Sequence, residues 1–219
     1  MSGATTGPEA GPWVGETVHV VDDDEAVLKS SRALLESVGL RPETYESPAQ
    51  FLARIDSEMS GCVVMDLRMP GMSGLDLLQE AKKKGMALPV LFITGYGEVP
   101  SAVNAMRAGA VDFLEKPVDH RQLLEKIYEA LERGSEQSRT RDRHRTIVER
   151  AESLTPRETE VALLVGDGKT SKAIGAALGI SAKTVEVHRG KIIEKMQVKN
   201  SVELVRLIVE SGLFTDEDT

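Results

Sequence analysis

Four short apolar runs stand out in the first half of the chain, and each ends at a residue able to do chemistry. Val18-His19-Val20-Val21 runs into Asp22-Asp23-Asp24. Cys62-Val63-Val64-Met65 runs into Asp66, Val90-Leu91-Phe92-Ile93 into Thr94, and Val111-Asp112-Phe113-Leu114-Glu115 into Lys116-Pro117. Runs of this length, bounded by turn residues, read as buried strands. Between them the apolar positions shift to helical spacing. Helices are predicted from about Ala26 to Val38, stopped by Gly39, and from Pro48 to Ile55 with Ser47 as N-cap. Others run from about Gly74 to Lys84, stopped by Gly85, and up to Ala108, with Gly109 just past the end. A last one runs from Asp119 to Arg133, with Leu123, Leu124, Ile127, Tyr128 and Leu131 on one stripe. A weak strand at Glu43 to Tyr45 completes five β-α units. Alternating elements with short connections imply a parallel sheet with helices on both faces.

The texture changes in the second half. Gly134-Ser135 opens a polar stretch with Arg139, Arg141, Arg143, His144 and Arg145, which reads as a solvated linker, partly helical. No strand follows Leu154. Thr155-Pro156-Arg157-Glu158 reads as an N-cap, a proline at the first helical position and an acid in the first turn. Thr170 to Leu178 is a second helix, stopped by Gly179. Ser181 caps a third, Ala182 to Met196, and Asn200-Ser201 precedes a fourth, Val202 to Ser211, stopped by Gly212. Two helices joined by a short glycine-containing turn are the arrangement that places a helix in a DNA groove. The expected divisions are a disordered segment at 1–15, with Trp13 its one candidate for docking back, and a first domain at 16–134. A linker at 135–153, a helical domain at 154–212 and an acidic tail at 213–219 complete the chain.

Composition narrows the class. The 219 residues are 41% hydrophobic and 28% charged, as in a soluble globular protein. No apolar run is long enough to span a bilayer, and no basic-then-apolar leader is seen, so no membrane is expected and the cytoplasm is the expected compartment. The single cysteine, Cys62, sits inside a predicted strand and reads as a core residue. Charge is uneven. Residues 16–133 hold 13 Lys and Arg against 20 Asp and Glu, a net of −7, whereas residues 154–212 hold 9 against 7, a net of +2. An acidic front and a mildly basic back imply domains with different partners.

Acids, a hydroxyl and a lysine at neighbouring strand ends point to one pocket, because open α/β sheets place their ligands there. A carboxylate such as Asp66 can accept a phosphoryl group, a transfer that needs positioning and charge neutralisation. Asp22 and Asp23 would hold a divalent cation opposite Asp66, and Mg²⁺ is the hard ion that suits carboxylates and phosphate oxygens. The Lys116 ammonium would pair with Asp66 or with the phosphate, and the Thr94 hydroxyl would hydrogen-bond a phosphate oxygen. Taken singly, Asp22-Asp23-Asp24 would equally serve as a helix cap with first-turn acids, Thr94 as a turn residue and Lys116 as a solvated cation.

The runs V-V-D-D-D-E at 20–25, V-V-M-D-L-R-M-P-G-M-S-G at 63–74, L-F-I-T-G-Y-G at 91–97 and A-G-A-V-D-F-L-E-K-P at 108–117 resemble the receiver domain of bacterial response regulators. The resemblance implies a flavodoxin-like sheet of order 2-1-3-4-5. It implies that Asp66 accepts phosphate from a histidine kinase. It also implies that Asp23, Asp66 and the Arg68 backbone carbonyl contact Mg²⁺, with Asp22 close by or acting through water. A cis Lys116-Pro117 bond is implied, and Thr94 and Phe113 would report phosphorylation by remodelling the surface from Ser101 to Leu114. Arg68 and Tyr96 would flank the path of hydrolytic water, with Tyr96 slowing loss of the phosphoryl group.

L-T-P-R-E-T-E-V at 154–161, T-V-E-V-H-R at 184–189 and N-S-V-E-L-V-R at 200–206 resemble the LuxR-type helix-turn-helix, and the two halves together resemble the NarL/FixJ group, closest to its FixJ branch. This implies that Ala182 to Met196 is a recognition helix. Lys183, Glu186, Val187 and Gly190 would face base edges. Thr184, His188, Arg189, Lys191 and Lys195 would meet phosphates, which orient binding without reading sequence. Ser171 and Gly175 depart from the family's usual asparagine and alanine, and Gly190 leaves a bare spot mid-helix. Implied partners are a sensor histidine kinase, promoter DNA, RNA polymerase and a second copy joined through the fourth helix and fifth strand of the receiver. No catalytic turnover is expected. An aspartyl-nucleophile phosphatase would want a second acid two residues after Asp66, where this chain has Arg68; a receiver acting by docking alone would not need the acidic pocket.

Overall fold

The computed structural model describes residues 12–56, 59–95 and 104–213. They form two compact units that divide between Gln137 and Ser138. The first unit contains β1 (Thr17–Val21), α1 (Glu25–Ser37), β2 (Arg41–Tyr45), α2 (Pro48–Arg54), β3 (Cys62–Asp66), α3 (Gly74–Lys83) and β4 (Val90–Thr94). The described turn of α4 (104–107) and β5 (Asp112–Glu115) follow. All five strands are parallel, in the order β2-β1-β3-β4-β5, as the resemblance implied. β1, β3 and β4 are buried along their whole length, which is why they read as unbroken apolar runs instead of alternating ones.

Alternation along the strands divides the core into two layers. Val21, Val63, Met65, Val90 and Phe92 pack with Phe51 of α2, Leu77, Leu78 and Ala81 of α3, and Ala105 of α4. Val18, Val20, Cys62, Val64, Leu91 and Ile93 pack on the other face with Leu28 and Leu35 of α1 and with Leu123, Ile127 and Leu131. Cys62 is fully buried, and burial pushes its thiol up to about 12, so it is a core residue and not a nucleophile. Within the expected terminal segment, residues 12–15 make a turn. Gly15 N–H donates to Gly39 O at 2.9 Å, and Trp13 packs on the second layer, so the docking foreseen for Trp13 takes place.

The sequence misleads after β5. The helix predicted to end at Arg133 is α5 (His120–Glu152), 33 residues long, and the expected linker is helical through Glu152. Gly134 does not stop it. A Cβ there would lie 3.0 Å from Gly61 O and 3.2 Å from Pro89, so this glycine lets the helix backbone lie close against the end of the sheet. Further along, Arg145 pairs with Asp142 and Glu149 at helical spacing, which supports an otherwise polar helix.

The second unit holds the end of α5 with α6 (Pro156–Gly166), α7 (Ser171–Leu178), α8 (Ala182–Met196) and α9 (Ser201–Ser211). Side-chain oxygens of Thr155, Thr170, Ser181 and Asn200 cap the four helices. Thr155 and Glu158 form a reciprocal capping box. Val161, Ile174, Val185, Ile192, Met196 and Leu204 form the core, with Ile147 and Ala151 of α5 packed against it.

Candidate functional site

The carboxyl ends of β1, β3, β4 and β5 gather Asp22, Asp66, Thr94 and Lys116. Asp22 follows β1 and is 2% exposed; Asp66 ends β3 and is 8% exposed. Sheet order brings them side by side, since β1 and β3 are neighbours although β2 lies between them in sequence. Lys116 reaches back from the end of β5, and its Nζ lies 2.5 Å from Asp66 Oδ2 and 3.1 Å from Asp22 Oδ2. The other Asp66 oxygen, Oδ1, accepts from Arg68 N–H at 3.1 Å. The three consecutive aspartates divide their work. Asp24 caps α1 by accepting from Ala26 N–H, whereas Asp22 accepts from Asp24 N–H and stays in the pocket.

The electrostatics favour a cation. Burial raises the Asp22 pKa above its ordinary value, and the hydrogen bonds from Asp24 N–H and Lys116 only partly offset it. Burial alone would lower Lys116, but its hydrogen bonds to Asp66 and Asp22 outweigh that and hold it protonated. One ammonium pairs with two carboxylates, and a third lies beside them. Asp22, Asp23 and Asp66 each bring an oxygen within 4.8 Å of the others, a hard-oxygen set that fits Mg²⁺. Arg68 lies in the loop after β3 with its side chain exposed.

Thr94 is 3% exposed, with its hydroxyl donating to Gly95 O at 3.2 Å. It pairs across the sheet with Glu115, so Phe113, two residues earlier, shares its face as a diagonal neighbour. Phe113 is 38% exposed, and Met106 of α4 is also exposed. The Lys116-Pro117 bond is cis, as the resemblance implied. Tyr96 and residues 101–103 of the expected switch surface lie outside the described residues. One supporting residue escaped the sequence reading. A Cβ on Gly74 would lie 2.3 Å from Asp66 O and 2.9 Å from the Phe92 ring. The only signal for it was its place in the glycine-containing loop after Asp66.

In the second unit, α7, a turn with Gly179 at φ +67° and α8 form the helix-turn-helix. On α8, Lys183, Thr184, Glu186, Val187, Gly190 and Lys191 are exposed, and His188 and Arg189 are half-buried. His188 Nδ1 is a buried ring nitrogen with no hydrogen-bond partner among the described residues. Val187 is 55% exposed and Gly190 has open space around it. Gly175 has a reason to depart from alanine, since a Cβ there would lie 2.6 Å from Ile180 O in the turn. Lys195 has a partner within the domain. Its ammonium pairs with buried Glu158 at 2.7 Å and donates to Ser153 O at 2.9 Å, so it ties α8 to the α5–α6 junction. That role depends on a partner 37 residues away, which helical spacing alone does not reveal. Ser171 was also missed as a partner of the recognition helix. It binds both Glu186 and Arg189.

Comparison with known proteins identifies the family of each unit. The response regulator receiver domain model matches residues 18–128, and that of bacterial regulatory proteins of the luxR family matches residues 152–208. The chain is 42% identical over 201 residues to the transcriptional regulatory protein FixJ of Azorhizobium caulinodans, covering 92% of this chain and 95% of that protein. It is 40% identical over 190 residues to the tetrathionate response regulatory protein TtrR of Salmonella typhimurium, covering 87% of this chain and 90% of that one. The solved structure of the response regulator StyR matches with a TM-score of 0.80 at 38% identity, covering 90% of this chain and 100% of that one. Full-length FixJ from B. japonicum matches with a TM-score of 0.56 at 37% identity, covering 92% and 100%. Both halves of the chain lead to one conclusion: it belongs to the two-component response regulators of the NarL/FixJ family, transcriptional regulators that join a receiver to a LuxR-type DNA-binding domain.

Proposed function

We propose that Asp66 takes a phosphoryl group from the phosphohistidine of a sensor kinase, and that this state changes how the helix-turn-helix engages promoter DNA. The observation behind the reading is the Lys116 ammonium joined at once to Asp66 and Asp22, beside a third carboxylate. In the transfer an Asp66 oxygen forms the new P–O bond as the P–N bond to the donor imidazole breaks, and the bonding pair leaves with the imidazole. Asp23, Asp66 and the Arg68 carbonyl, with Asp22 near or acting through water, are the residues that would hold Mg²⁺. When bound, the ion neutralises charge on the phosphoryl oxygens. Lys116 balances Asp66 before transfer and reaches the phosphoryl oxygens after it. Thr94 then offers its hydroxyl to a phosphoryl oxygen.

Thr94 and Phe113 share one face of the sheet, so movement of the first frees space for the second. This is a two-state element biased by a local charge. The exposed apolar side chains of Met106 and Phe113, on α4 and β5, support that surface as the contact with a second copy. Pairing two protomers would present two α8 helices to two half-sites and double the phosphate contacts. Lys183, Glu186, Val187 and Gly190 face base edges in this reading, while Thr184, His188, Arg189 and Lys191 meet phosphates. The dimer on a promoter then contacts RNA polymerase.

Acetyl phosphate with Mg²⁺ serves as a kinase-free donor for the test. Intact-mass spectrometry is expected to find one added phosphoryl group on the wild-type chain and none on Asp66→Asn. Equal modification of both proteins would overturn the assignment of Asp66.

A further inference from the structure

We propose that Ser171, which lies off the recognition helix, is a positioning residue that sets the DNA sequence preference of α8; this rests on the DNA-binding reading above. Ser171 opens α7, just after the Thr170 cap. Its hydroxyl donates to Glu186 Oε1 and accepts from Arg189 Nη1, the latter at 2.9 Å. A serine hydroxyl has one hydrogen to give and can accept two. Both demands are met by two side chains three residues apart on α8, hence on one helical face. Glu186 and Arg189 make no direct ion pair within 4.0 Å among the described residues; the hydroxyl stands between them.

This arrangement has consequences for reading bases. A carboxylate on a DNA-facing surface repels phosphates and accepts hydrogen bonds only, so it favours a base that shows a donor, the amino group of cytosine above all. It discriminates only if it is held in place. Ser171 fixes Oε1 and leaves Oε2 for an incoming donor. The same hydroxyl also keeps Arg189 from collapsing onto Glu186, which would cancel both charges. The two side chains are therefore ordered before DNA arrives, and order set in advance favours the right sequence over wrong ones. An alanine at 171 would leave the helix and its charges intact while releasing both side chains.

The test uses full-length wild type, Ser171→Ala, Ser171→Thr and Glu186→Gln, each treated with acetyl phosphate and Mg²⁺. Each protein first selects from a randomised duplex library. Affinities are then measured for the wild type's selected duplex and for a scrambled duplex, and melting curves check folding. Ser171→Ala is expected to lose about tenfold on the selected duplex, the cost of roughly one mismatched base pair. Its affinity for the scrambled duplex should fall by less than that, because only the Arg189 phosphate contact is weakened there. Its selected sequences should lose the same preferred base that Glu186→Gln loses, and Ser171→Thr, which keeps the hydroxyl, should select as the wild type does. If Ser171→Ala selects the wild-type sequence with the wild-type affinity ratio, the proposal is wrong while DNA binding stands. A wild type that enriches no sequence would overturn the DNA-binding reading and this proposal together.

Discussion

At the residue scale, the proposed chemistry rests on Asp66 and Lys116, with Gly74 packed closely behind Asp66. The distance of 2.5 Å between Lys116 Nζ and Asp66 Oδ2 makes Lys116 the counter-charge of Asp66. Lys116→Met should leave the fold intact, because the lysine is one-third exposed. It should also uncouple phosphorylation from the change at Phe113, so a Phe113 fluorine-label NMR signal would stay in its unphosphorylated position after acetyl phosphate treatment. A Lys116→Met spectrum that shifts as the wild type's does would show that the lysine is not part of the switch. Gly74→Ala would force a methyl group against Asp66 O and Phe92, costing about 1–3 kcal/mol as overpacked sites do. Denaturant unfolding of the receiver measures it, and an unchanged midpoint would contradict the close approach seen at Gly74. Asp66 and Lys116 were legible in the sequence because each ends an apolar run. Gly74 and Ser171 were not, because their importance lies in what approaches them from elsewhere in the fold.

At the scale of elements, the strands were legible and the ends of helices less so. A fully buried parallel strand reads as a short apolar run, and β1, β3 and β4 coincide with such runs to within one residue at each end. α5 was read too short because Gly134-Ser135 resembles a stop, whereas the glycine serves packing against Gly61 and Pro89. α8 lies where its pattern predicts, and one of its cations has a partner inside the domain that the pattern does not reveal. Lys195 holds Glu158, and that pair, with Thr155, keeps the Glu158 carboxyl down at about 2, against an ordinary value of 4.5. A depressed carboxylate stabilises the fold fully above its unfolded pKa and loses that contribution as pH falls toward its folded one. The helical domain should therefore lose stability between about pH 4.5 and about pH 2. Lys195→Met should remove about 2 kcal/mol near neutral pH and flatten the acid dependence. Melting followed by circular dichroism checks both, and a variant with the wild-type acid profile would refute the role given to the pair. Gly190→Ala should act the other way, stabilising α8 by about 0.5–1 kcal/mol, since nothing lies within 4 Å of the added methyl. A lower melting temperature for Gly190→Ala would contradict it.

For the whole molecule, the claim is that a charge placed on Asp66 in one unit alters the DNA binding of α8 in the other. Charge is unevenly spread along the chain, and the two compact units divide inside α5. Coupling between them is a free energy, so it is read as a change in DNA affinity on phosphorylation. The measurement that tests it most directly is a binding isotherm of the full-length protein on its selected duplex, with and without acetyl phosphate and Mg²⁺, for wild type and Asp66→Asn. Wild-type affinity should rise by about tenfold or more, with two protomers on each duplex, while Asp66→Asn should not respond. An equal rise in Asp66→Asn, or none in the wild type, would contradict the account.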